Sequence, residues 1–168
     1  MAAVQDARPT GKLAEDIIPV ICPGHDRPVR EVHFSDTTED GTFMVSACLD
    51  RKPILRDASS GDWVGTFMGH RGAVWGAKIN REATLVATAS ADFSARLWNA
   101  VDGESIQVWD HPHVVKACDF SPDSKLVATG CRDGKLRIFD AVKPASDPKL
   151  VVDAGSVSLC SCRKNSPF

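Results

Sequence analysis

The chain has no apolar run near bilayer-spanning length, no block of like charge, and no stretch that holds a helical period for long. The first absence argues against membrane insertion. The second removes the basic footprint of a nucleic-acid domain. Across 168 residues the net charge is −2, so RNA is expected to be met only indirectly. Glycine-rich phosphate cradles are also missing: neither G-x-G-x-x-G nor G-x-x-x-x-G-K occurs. Cysteines stand at 22, 48, 118, 131, 160 and 162. Zinc needs about four ligands at set spacings, and the lone C-x-C of Cys160 and Cys162 does not supply them. The scatter, with Cys118 and Cys131 in predicted buried strands, suits reduced thiols of a cytoplasmic protein, with the nucleus as a second compartment. Residues 1–16 carry Asp6, Glu15 and Asp16 without a central apolar stretch. They read as a disordered segment and not as a secretory signal.

What is present is a three-fold repeat of roughly 41 residues, within the range for four-stranded propeller blades. His25, His70 and His111 open its copies. Val29, Val74 and Val115 follow at one fixed offset, and Phe34, Ile79 and Phe120 at another. Ser46, Thr88 and Thr129 precede Asp50, Asp92 and Asp133, and behind those stand Arg56, Trp98 and Phe139. Short apolar runs punctuated by Gly, Asp, Ser and Pro predict strands throughout. In copy two these are residues 63–67, 74–79, 85–88 and 94–98. Copy three repeats them at 115–120, 126–129 and 135–139, and copy one at 29–34, 43–48 and 53–55.

The fold class expected is therefore all-β: three four-stranded antiparallel blades at about 25–67, 70–109 and 111–152 within an arc over 17–155, plus a stub. Residues 17–22 (IIPVIC) read as an outer strand whose own blade is absent. Residues 157–162 could open a fourth blade, but 156–168 fit nothing in the pattern, and a truncated or aberrant end is expected there. Such an arc leaves apolar blade faces uncovered, which predicts self-association.

His, Ser/Thr and Asp recurring together tempt a catalytic reading. A catalytic set occurs once per domain, whereas this one recurs in every repeat. The pattern predicts instead a buried polar chain that braces each blade: His25, Ser46 and Asp50; His70, Thr88, Asp92 and Trp98; His111, Thr129 and Asp133. Copy three loses the indole N–H to Phe139, and in copy one Arg56 must end the chain differently. No catalytic residue, cofactor or metal is expected. Arg27, Arg30, Arg71, Trp75, His113, Lys116 and Arg132 fall in the turns and strand starts along one rim. They are the candidate partner surface, since Arg and Trp are enriched among interface anchors. Trp75 could equally pack between blades, and the cations could be solvated loop residues.

Gly69-His70, the Asp92 turn, Leu97-Trp98-Asn99 and Leu136-Arg137-Ile138-Phe139-Asp140 resemble the signature of WD-repeat propellers. The longer strings at 61–70, 72–77 and 91–98 resemble a receptor-associated branch of that family. The resemblance runs from about residue 22 to 149. It implies a non-enzymatic scaffold within a multi-subunit complex of the survival-of-motor-neuron type, with Gemin-type neighbours, and a link to receptor kinases. WD-repeat subunits of eukaryotic translation initiation factor three share similar strings and are the alternative. The family also implies a seven-bladed ring, from which three blades and a stub depart.

Overall fold

The computed structural model describes residues 20–145 and 147–155, so the expectations for 1–16 and 156–168 lie outside the described residues. Among the described residues, twelve strands form three antiparallel sheets, each a four-strand meander. Blade one holds β1 (Val29–Phe34), β2 (Phe43–Cys48), β3 (Ile54–Asp57) and β4 (Trp63–Thr66). Blade two holds β5 (Val74–Ile79), β6 (Leu85–Ser90), β7 (Ser94–Asn99) and β8 (Ser105–Asp110). Blade three holds β9 (Val115–Phe120), β10 (Leu126–Cys131), β11 (Lys135–Asp140) and β12 (Leu150–Asp153). Among the described residues no helix is long and apolar enough to cross a membrane.

Period-two alternation sends successive side chains of a strand to opposite faces. In β6, Val86 joins one apolar cluster and Ala87 and Ala89 another. The first cluster lies between blades one and two and gathers Val45, Leu55 and Phe67 with Val74, Ile79 and Trp98. The second lies between blades two and three and sets Leu97 and Trp109 against Val115, Val127 and Phe139. Blade two thus buries both faces, one on each neighbour. Small residues on its second face let β9 approach closely. Rings reinforce both seams: Phe67 and Trp98 lie 5.5 Å apart and tilted, while Trp109 and Phe139 stack at 4.5 Å.

The inner strands β1, β5 and β9 run side by side in the same direction. Ala77 N–H donates to Glu31 Oε2 and Ile79 N–H to His33 Nδ1, so both partners advance together along the two strands. All strand starts of the inner row, and the β2–β3, β6–β7 and β10–β11 turns, therefore lie at one rim.

The outer strand expected at 17–22 is corrected where it is described. Residues 20–22 carry no strand. They lie instead against blade one at Gly61, where a Cβ would collide with Val20 and meet Cys22 Sγ at 3.0 Å. Gly61 also has φ +77°, a conformation glycine adopts without strain.

Candidate functional site

Each blade places its histidine in the turn before the inner strand, facing the next hairpin. In blade two, His70 Nδ1 lies 2.8 Å from Asp92 Oδ2 and Nε2 lies 2.7 Å from Thr88 Oγ1. Trp98 Nε1–H donates to Thr88 Oγ1 at 2.9 Å. The indole can only donate and an ionised carboxylate can only accept. Trp98 therefore donates to Thr88 at one end of the chain, and Asp92 accepts from His70 Nδ1 at the other. Burial alone would raise the Asp92 pKa. The bonds from His70, Ser94 and the Arg71 N–H outweigh it and hold the carboxyl well below the ordinary carboxylate range.

Blade one keeps the first part of this chain. His25 Nδ1 is 2.7 Å from Asp50 Oδ2, and Nε2 is 2.7 Å from Ser46 Oγ. Arg56, in register where Trp98 stands in blade two, is buried and turns away from it. It donates to the carbonyls of Gly61 and Pro23, tying the entering segment to the blade. Burial works against the charged form of Asp50, yet the His25 and Lys52 bonds leave its pKa lowered.

Blade three departs from the expectation. His111 Nε2 meets Thr129 Oγ1 at 2.9 Å, but Nδ1 bonds the Trp109 carbonyl at 3.0 Å and not Asp133. Asp133 is held by Arg137 through both carboxylate oxygens, at 2.6 and 3.3 Å. A guanidinium offers two charge-assisted bonds where an imidazole offers one. Arg137 lowers the Asp133 pKa well below the usual range. His111, buried away from that carboxylate, has its own pKa pushed down, first by burial.

These groups are committed to one another, and that limits their chemistry. His25, Cys48 and Asp50 put one donor atom each within 4.8 Å, close enough to hold a metal ion. Every one of those atoms already has a partner. Cys48 Sγ–H donates to the Arg27 carbonyl and Sγ accepts the Asp50 N–H, while burial pushes the thiol pKa up. A protonated, hydrogen-bonded thiol is a poor ligand.

The rim residues fall in two groups. Arg30, Trp75 and Lys116 occupy the same place in β1, β5 and β9, and the structure brings them together. The Arg30 guanidinium carbon lies 4.8 Å from the Trp75 ring centroid and Lys116 Nζ lies 5.9 Å from it. Arg27, Arg71 and Arg132 are exposed, each in its own blade's turn. His113, also exposed, pairs with Phe93 at 5.6 Å. Two features escaped the sequence. Phe93 is 46% exposed on this rim and follows Asp92 with φ +68°; its signal was an apolar residue inside an Asp turn. Glu31 bridges blades, pairing with Lys78 at 2.8 Å and accepting the Ala77 N–H. Gly76 makes room for it, since a Cβ there would meet Glu31 Oε2 at 3.2 Å.

Comparison with known proteins follows the same register. The family "WD domain, G-beta repeat" matches residues 61–99 and 103–140. The chain carries WD repeats. Each matched WD unit begins two residues before the outer strand of one blade and ends with the third strand of the next. The family's repeat is therefore offset from the blade by one strand. The human serine-threonine kinase receptor-associated protein is 51% identical over 133 residues, 79% of this chain and 38% of the relative. That of Dictyostelium discoideum is 47% identical over 134 residues, 80% of this chain and 45% of the relative. Subunit I of eukaryotic translation initiation factor 3 from Coccidioides immitis is 38% identical over 111 residues, 66% of this chain and 32% of the relative. The matched segment thus spans 32–45% of the length of these relatives.

Proposed function

We propose that this WD-repeat chain is a non-enzymatic scaffold for protein–protein contact, of the receptor-associated type that joins the survival-of-motor-neuron complex in small nuclear ribonucleoprotein assembly. The observation that carries this is the 51% identity to relatives named for association with serine-threonine kinase receptors. The geometry supports it. The groups that could do acid–base work are bonded to each other blade by blade, while the exposed side chains of the rim are arginines and aromatics suited to contact. The partner surface is Arg27, Arg30, Arg71, Trp75, His113, Lys116 and Arg132. Gemin-type and Sm proteins are the expected neighbours, with receptor kinases as a second set, in the cytoplasm and the nucleus. RNA is reached through those proteins.

Affinity purification of the tagged full chain tests this. Co-purifying Sm and Gemin-type proteins support the reading. Recovery of ribosomal small subunits instead would transfer the chain to the translation-initiation reading, which the 38% identity to the factor 3 subunit favours.

A further inference from the structure

We infer that the inner end of this rim is a receptor for an acidic peptide segment, gripped by the cation–indole–cation row of Arg30, Trp75 and Lys116. This deepens the scaffold reading and rests on it.

Three observations converge. Arg27, Arg30, Arg71, Lys116 and Arg132 all lie on one rim of a chain whose net charge is −2. Two of that rim's carboxylates are neutralised by cations: Asp133 by Arg137, and Glu31, inside the row, by Lys78. Asp50 and Asp92 are turned onto histidines, and Asp26, Asp110 and Asp153 are exposed toward the same end. Arg27, Arg30, Arg71 and Lys116 form a positive patch at the inner end that attracts anionic segments.

The second observation is Trp75 itself. Three indoles of the chain donate their N–H: Trp63 to Thr66, Trp98 to Thr88 and Trp109 to the Ala145 carbonyl. Trp75 Nε1 is buried with no acceptor. Buried donors are normally paired, so this indole is not placed to complete a core network. Two cations, Arg30 and Lys116, lie beside its ring.

Third, the row joins all three blades. One bound segment lying across it would contact β1, β5 and β9 at once, its carboxylates bonded to Arg30 and Lys116. The guanidinium favours carboxylate in bidentate geometry. Nucleic acid fits less well. Single-strand binders keep aromatic faces open for bases to stack on, and here both cations already crowd the one indole of the row.

The test titrates the full chain with a short poly-glutamate peptide, read by tryptophan fluorescence and by calorimetry. Binding is expected to weaken as salt rises. Arg30→Glu and Lys116→Glu should each raise the dissociation constant about tenfold or more, while Lys125→Glu, at the opposite end of the blades, leaves it unchanged. Trp75→Phe should remove the fluorescence change and leave calorimetric binding measurable. Circular dichroism confirms folding of each variant, and Arg30→Gln replaces Arg30→Glu if the latter unfolds. Folded charge-reversal variants that bind poly-glutamate like the native chain overturn the proposal. So does poly-uridylate binding more tightly than the peptide. If Sm and Gemin-type proteins co-purify with the Arg30 and Lys116 variants as with the native chain, the acidic-segment site fails and the scaffold reading survives. If peptide binding holds while those proteins never co-purify, the scaffold reading fails alone.

Discussion

Thr88 shows what one side chain holds together. Its hydroxyl receives the Trp98 N–H and serves His70, and it is fully buried. Thr88→Val keeps the shape and leaves two buried polar groups unpaired. Each such group costs about 1–3 kcal/mol, so a loss of about 2–6 kcal/mol is expected in urea unfolding; a loss under about 1 kcal/mol would mean that the chain of bonds is not cooperative. Protons probe the same residues. His111 titrates in the unfolded chain near its ordinary value of 6.5 and lower in the folded one. The unfolded chain therefore binds more protons as pH falls through that value, and stability declines. A second, steeper decline follows below about pH 4. There unfolded aspartates, with an ordinary value of 3.8, take up protons that folded Asp50 and Asp92 resist. The Asp92→Asn variant should lose part of that lower leg. Unfolding midpoints that stay level from pH 7 to pH 3 would contradict both assignments.

The turn after β2 explains why the hairpins keep their register. Asp50 Oδ1 accepts the Lys52 N–H, Asp92 Oδ1 the Ser94 N–H and Asp133 Oδ1 the Lys135 N–H. In all three the next residue sits at positive φ: Arg51 at 76°, Phe93 at 68° and Gly134 at 82°. Only the third copy has the residue that adopts this region freely. Arg51→Gly should therefore stabilise blade one by about 0.5–1 kcal/mol, the left-handed strain relieved less the added freedom of the unfolded chain; a destabilised variant in thermal unfolding would refute it. The strands themselves were legible because alternation and the Asp turns repeat in step. Their ends were less so: β6 runs on to Ser90 and β10 to Cys131, past the residues that the apolar runs mark. The brace in blades one and two was legible in its spacing. Blade three was not, because Arg96 and Arg137 stand at the same offset from their aspartates, and only packing separates them. Arg96 lies over Trp98 at 5.6 Å, whereas Phe139 is stacked on Trp109 and leaves Arg137 to Asp133.

Across the whole molecule the blades share one logic: a sheet is buried on both faces only where it has two neighbours. Blade two has them, and its strands β5, β6 and β7 are mostly buried. Blade one has one. Glu31 and His33 of β1 point toward blade two, so Val32 and Phe34 point away from it, and they are 46% and 53% exposed. At the far end of the arc Leu150, Val151 and Val152 of β12 are exposed along a strand that, among the described residues, pairs only with β11. Apolar faces and open edges of this kind are association surfaces. The full chain is therefore expected to elute in sizing chromatography ahead of its 18.1 kDa monomer, increasingly so as concentration rises. Val32→Lys with Phe34→Lys should return it toward the monomer position, because two buried ammonium groups in a face-to-face contact oppose it strongly. The rim cations lie at the edge of that face, so Arg30→Gln should change the elution little. A sharp monomer peak from the native chain at high concentration would show that blade one's open face is already satisfied and would remove the driving force argued for it.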